Sequence, residues 1–255
     1  IPFILFICYL GGLYFLTFAL LIGLFSFYEF TKMAKRKGGN TLLYPGLIVI
    51  ALVIFNSFIQ IIDFFHLIIL SVIVLSVIEL YRDNGSAISN LSTTFLGIFY
   101  IGLFASSLVG IREFFNDDLK GGYLIISILV IIWICDSAAF FGGVKFGKHR
   151  LFLRVSPKKS WEGAIFGFVF AILTAIAAKY ILLGFLSWVD VIFIGVVIGT
   201  VGQIGDLIES LFKRDSGIKD SSDLIPGHGG IFDRFDSLLA SSPIVFVYLN
   251  YFVLR

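Results

Sequence analysis

The sequence predicts an all-α, polytopic integral membrane bundle. It is 58% hydrophobic and only 14% charged. Its apolar runs recur at about the 20-residue length needed to span a bilayer, and its basic residues cluster in alternate connections. A mean hydropathy of +1.01 excludes an ordinary soluble domain, which must cover its surface with polar groups. The runs are continuous rather than alternating, so helices are favoured over a membrane barrel. A formal charge of +2 gives no reason to expect a nucleic-acid partner. Cys8 and Cys135 lie in apolar runs and read as small buried hydrophobes, with no disulfide framework or metal knuckle.

The expected spans are 1–11, 13–32, 42–58, 60–81, 91–112, 122–143, 163–185, 189–212 and 237–254, nine helices of which the first is incomplete. Gly11 and Gly12 mark a break in the long first apolar stretch. The chain starts at Ile1, which suggests that part of the first helix is missing; a cleaved signal peptide is the lesser alternative, because no small-residue cleavage site comes after it. Lys32, Lys35, Arg36 and Lys37 follow the second run, and Arg82 follows the fourth. Lys145, Lys148, Arg150, Arg154, Lys158 and Lys159 follow the sixth, and Lys213, Arg214, Lys219 and Arg234 the eighth. The odd connections keep only Arg112 and Lys120, with Lys179 near the end of the seventh run and Arg255 at the C-terminus. By the positive-inside rule the even connections are cytoplasmic, the N-terminus inside and the C-terminus outside, in a multi-pass cell-membrane protein. With no repeat or soluble segment, one membrane domain over 1–255 is the simplest organisation, its chemistry concentrated in 133–163 and 202–237. Gly163 with Gly167, and Gly195 with Gly199, suit close helix packing within the chain at least as well as homodimerisation.

Ionisable groups inside such runs are the first functional candidates, because a lone charge in hydrocarbon is costly. Asp136 and Asp206 lie in the cytoplasmic half of their helices. Gly202, Asp206, Glu209 and Lys213 recur at three- and four-residue intervals and share one helix face. The alternative for Asp136 and Asp206 is a structural ion pair with a lysine. Glu29 and Glu79 stand near Lys32 and Arg82, where solvation or pairing is the better reading. Asp63 and His66 are expected to bond each other or the backbone, and Lys179 to snorkel outward.

Two polar stretches carry the chemistry. After the sixth run, Ser156-Pro157-Lys158-Lys159-Ser160-Trp161-Glu162-Gly163 leads into a helix N-terminus, where lysines, hydroxyls and free N–H groups suit phosphate. Alone, these cations could simply obey the positive-inside rule. In 210–236, Pro226-Gly227 makes a turn, His228 is presented on it, and Gly229-Gly230 allows close backbone approach to a ligand. Asp233 and Asp236 then open the last helix, three residues apart. If the eighth and ninth helices pack together, Asp206 joins them in an all-oxygen set suited to Mg2+ or Mn2+, ringed by Lys213, Arg214, Lys219 and Arg234.

The pattern Ser-x2-Lys-Arg-x4-Lys-Asp-x-Ser-x2-Ile-Pro-x-His-Gly-Gly-Ile-x-Asp-Arg-Phe-Asp runs without a gap from Ser210 to Asp236. It resembles the signature of the CDP-diacylglycerol synthases, or phosphatidate cytidylyltransferases. Asp136-Ser137-Ala138-Ala139-Phe140 and the Ser156 to Gly163 stretch also resemble that family, which usually carries tyrosine where Phe140 stands. The likeness covers the C-terminal half; the first 120 residues share only the generic apolar pattern. It implies Mg2+-dependent condensation of phosphatidic acid with CTP to give CDP-diacylglycerol and pyrophosphate. Asp206 and Asp233 would then bind one or two cations, with Asp136 and Asp236 in support. Lys219, His228 and Arg234 would hold the reacting phosphates. Ser156, Lys158, Lys159, Lys213, Arg214, Gly229 and Gly230 would bind substrate. The rivals are a CTP-dependent polyprenol or phytol kinase and, less favoured, an ion or phosphate transporter.

Overall fold

The structure, a computed structural model, describes residues 2–222 and 229–253. Its helices are α1 (Pro2–Leu10), α2 (Gly12–Arg36), α3 (Leu43–Ile59), α4 (Phe64–Leu80), α5 (Ala87–Arg112), α6 (Asp118–Phe146), α7 (Trp161–Ile181), α8 (Trp188–Asp215) and α9 (Phe232–Phe252). Among the described residues α2, α5, α6, α7 and α8 are long and apolar enough to cross a membrane, and α3 and α4 are shorter apolar helices. The chain is thus an all-α membrane protein.

Local sequence sets the helix starts. Asp63, Ser86, Asp117, Ser160 and Ser187 cap α4 to α8 in turn, each side chain accepting from an N–H of the first turn. Such caps contribute about 1 kcal/mol each. The break after α1 is real, since Gly11 and Gly12 both have positive φ, 65° and 52°. Expected boundaries shift where these caps act: the fourth helix starts at Phe64 rather than 60, because Gln60 takes a left-handed φ of 52° and Asp63 supplies the N-cap. As expected, the Asp63 carboxylate also meets His66 Nδ1, at 3.2 Å. The connection after α6 is not a plain loop. Arg150–Phe152 (β1) and Ser156–Ser160 (β2) pair antiparallel, with Arg150 opposite Ser160 and Phe152 opposite Ser156. That hairpin has too little apolar alternation to be seen in the sequence.

The chain divides into two compact units. The first comprises Ile1–Tyr14, Ile111–Leu211 and Asp236–Arg255. In it α7 packs on α6 and α8 through its small residues. A Cβ at Gly163 would meet Ala139 O at 2.7 Å, one at Gly195 would meet Ala175 Cβ at 3.0 Å, and one at Gly199 would meet Phe168 at 3.0 Å. The glycine pairs therefore serve packing within the chain. Arg112 is fully buried here rather than a surface cation. Its Nε donates to Cys8 O at 3.0 Å and its Nη2 to Tyr9 O at 3.3 Å, capping the last carbonyls of α1. The Lys179 ammonium reaches past the end of α7 and donates to the carbonyls of Gly184 and Leu186.

The second unit comprises Phe15–Gly110 and Phe212–Phe235. Phe27 fills a notch between α3 and α5 that exists only because both walls are glycine: a Cβ on Gly46 or Gly97 would come within 2.4 or 2.6 Å of its ring. Glu79 is buried and pairs with Arg82, as expected, while also accepting from Asn90 Nδ2 at 2.6 Å.

Candidate active site

In the first unit α8 carries a π-helical turn, Ile198–Gly202, in the stretch just before Asp206. Gln203, directly after that turn, donates from Nε2 to Gly199 O within it at 2.6 Å and to Ala164 O of α7 at 3.1 Å. Such turns favour functional sites. One helical step later Gly205 brings α8 against α9. A Cβ there would stand 2.3 Å from Ala240 Cβ and 2.9 Å from Asp236 O. This contact draws together Asp206 and Asp236, and α6 adds Asp136. The three carboxylates lie within electrostatic reach of one another and of the Lys159 ammonium. Lys159 forms an ion pair with Asp206, so the structural-pair alternative holds for Asp206 as the chain stands. Asp136 is exposed, Asp206 half-buried and Asp236 buried.

The hairpin before α7 delivers Lys159. Ser160, at its end, is buried and accepts from Gly163 N at 3.2 Å, which fixes the entry into α7. Gly147 leaves room for that serine, since a Cβ there would meet Ser160 Oγ at 2.7 Å. Ser156 is half-buried and Lys158 exposed on the same short strand. Glu162, in the first turn of α7, accepts from the N–H groups of Lys148 and His149 at 3.1 and 3.2 Å and meets His149 Nδ1 at 2.6 Å. The basic stretch is thereby a built turn rather than a loose run of cations.

In the second unit Asp233, in the first turn of α9, is held on both oxygens. Lys213 Nζ lies 2.5 Å from Oδ1. Oδ2 accepts from Ser221 N at 2.9 Å, Ser221 Oγ at 2.8 Å and Gly230 N at 2.8 Å. Gly229 takes a φ of 76°, and a Cβ on it would crowd Asp233 Oδ2 at 3.0 Å, so both demands call for glycine. Arg214 Nη1 donates to Ile218 O at 3.2 Å, closing the turn after α8. Lys219 and Arg234 are exposed. His228, expected on the turn, lies outside the described residues. Sequence reasoning missed Glu29. It does not pair with Lys32, whose ammonium sits over the Tyr28 ring at 4.3 Å; it accepts instead from Ser221, Ser222, Ile231 and Phe232. The only signal was a carboxylate in an apolar helix with a weak local partner.

Among the described residues no group of three or more His, Cys, Asp and Glu side chains is placed to hold a metal ion. The donor chemistry nevertheless fits Mg2+, a hard cation that takes one or two carboxylates and completes its shell with water and substrate phosphate. The carboxylates of α6, α8 and α9 are such donors, and no thiolate competes, because Cys135 is a buried free thiol.

The cytidylyltransferase family model matches residues 1–252. A phosphatidate cytidylyltransferase of Staphylococcus epidermidis is 33% identical over 247 residues, 94% of this chain and 91% of that protein. One of Staphylococcus aureus is 32% identical over the same share of each. A phosphatidate cytidylyltransferase of Haemophilus influenzae is 42% identical over 148 residues, 56% of this chain and 51% of that protein. The likeness therefore reaches beyond the C-terminal signature into the first 120 residues, and the chain belongs to the cytidylyltransferase family.

Proposed function

We propose that this chain is a phosphatidate cytidylyltransferase, joining phosphatidic acid to CTP to give CDP-diacylglycerol and pyrophosphate for phospholipid biosynthesis. The observation that carries the reading is the gathering of Asp136, Asp206 and Asp236 beside Lys159, in a chain whose relatives of that name match it nearly end to end. Carboxylates and cations are what a triphosphate meeting an anionic lipid requires.

The phosphatidate monoester is already an oxyanion, so neither a covalent enzyme intermediate nor a strong base is needed. One of its oxygens attacks the α-phosphorus of CTP, a P–O bond forms, and the bond to the β-phosphate breaks with its electron pair leaving on pyrophosphate. Asp206 and Asp233 are the carboxylates assigned to the divalent cation or cations, with Asp136 and Asp236 in support. Bound Mg2+ supplies charge neutralisation of the triphosphate. Lys159 exchanges its pairing with Asp206 for a substrate phosphate, and Ser156 and Lys158 of the same strand bind alongside it. Lys213, Arg214, Lys219, Arg234 and His228 hold the remaining anionic oxygens, while Gly229 and Gly230 allow the backbone close to them.

The proposed topology has nine spans, N-terminus inside and C-terminus outside, with the site facing the cytoplasm and the whole chain acting as one functional domain. A homodimer is compatible with it. Labelled CTP tests the activity: transfer of the α-phosphate with cytidine to lipid is expected, and transfer of the γ-phosphate alone would identify a lipid kinase.

A further inference from the structure

We propose that Glu29 is a positioning residue for this reaction, its carboxylate tying the chain before Asp223 to the chain after Gly230 and so setting where Asp233 stands. The inference rests on the cytidylyltransferase reading above. Glu29 is fully buried in α2, where an unsatisfied carboxylate would be expensive. Its Oε1 accepts from Ser222 Oγ at 2.5 Å and Ile231 N at 3.0 Å. Its Oε2 accepts from Ser221 Oγ at 2.8 Å and Phe232 N at 2.9 Å. Four donors thus occupy the carboxylate's acceptor capacity. All four belong to the segment that carries the signature, Phe232 being the first residue of α9.

The tie reaches Asp233 directly. The Ser221 hydroxyl stands 2.8 Å from Glu29 Oε2 and 2.8 Å from Asp233 Oδ2, so its single proton is shared between two carboxylates. Gly230 sits in the crevice between them: a Cβ there would lie 1.9 Å from Ser221 Oγ and 2.4 Å from Glu29 Oε2. The glycine pair of the signature thus has a second reason to exist, since its latter member admits Glu29. Phe232 is fully buried and packs edge-on to Tyr100, which anchors the far end of the segment.

Glu29→Gln separates positioning from packing. It keeps the size of the side chain but turns one acceptor oxygen into an NH2 that faces a backbone N–H, of Ile231 or of Phe232, whichever way the amide is flipped. In the purified full chain, kcat is expected to fall by tenfold or more, roughly what losing a hydrogen bond to a charged group supplies. The phosphatidate KM should stay within about threefold, because uniform binding is not what was removed. Hydrogen exchange of the peptide containing Ile231 and Phe232 is expected to quicken about tenfold, while peptides of α6 and α7 stay unchanged. Wild-type kcat with faster exchange would leave Glu29 a structural tie only and overturn the proposal, as would unchanged exchange. Should Glu29→Gln not fold, Ser222→Ala removes one of the four donors, and an unaltered kcat there would equally overturn it. If the wild-type chain makes no CMP-bearing lipid, the functional reading fails, and the exchange measurement still decides whether Glu29 holds the segment.

Discussion

Lys213 Nζ lies 2.5 Å from Asp233 Oδ1, and each side chain keeps only 12% of its surface exposed. A pair this enclosed is sensitive to losing one member, because the hydrogen bonds that Asp233 keeps from Ser221 and Gly230 replace the lost charge only in part. Lys213→Met should therefore destabilise the chain by roughly 3 kcal/mol, read as a lower melting temperature in detergent. Lys213→Arg should recover part of the loss. An unchanged melting temperature in Lys213→Met would show the pair to be dispensable for the fold.

Asp206→Asn should lower turnover at least about a hundredfold while the protein still elutes and melts as wild type. The amide keeps the shape but cannot offer the anionic oxygen that both Lys159 and a divalent cation require. Steady-state synthesis at saturating Mg2+ is the measurement, and near-normal turnover would remove Asp206 from the site.

Gly205→Leu should separate α8 from α9. A Cβ already lies 2.3 Å from Ala240 Cβ, so overpacking costs about 1–3 kcal/mol. Activity should fall further than stability, because Asp206 and Asp236 depend on that approach. Melting and turnover measured on one preparation test whether the two losses differ.

Glu113, in the connection between α5 and α6, gives a pH signature. Burial raises its carboxyl above the ordinary value of 4.5, the neighbouring Arg112 guanidinium opposes this, and Asp118 adds to it. The folded chain therefore keeps this proton to higher pH than the unfolded chain does. Its contribution leaves stability unaffected below about 4.5 and lowers it as pH rises from there through the elevated folded value. Glu113→Gln should remove that slope, so the mutant's melting temperature gains on wild type between pH 4.5 and pH 7. A constant difference across that range would contradict this.

Much of the fold was legible because its cause is local. Apolar runs fixed roughly where the helices lie, and Gly11 and Gly12 the first break, but the Ser and Asp caps that start α4 to α8 were not read, so those boundaries shifted. Asp136 and Asp206 stood out because carboxylates in apolar helices need a reason, and Asp236 because it opens the last helix three residues after Asp233. Their shared neighbourhood could be read only conditionally, since it depends on Gly205 meeting Ala240 across two helices. Glu29 was not legible: its partners lie 192 to 203 residues away, and the nearby Lys32 offered a local explanation that the structure does not use. The β1–β2 hairpin was hidden because Ser156-Pro157-Lys158-Lys159-Ser160 has no apolar alternation, its order coming from Ser160 and Glu162 at the start of α7.

The most direct measurement is incubation of the purified chain with phosphatidic acid, Mg2+ and CTP labelled at either the α- or the γ-phosphate. The account predicts α-label in a CMP-bearing lipid and γ-label only in pyrophosphate, both lost in Asp206→Asn. Label from the γ-position in lipid, or no consumption of CTP by a folded preparation, would contradict it.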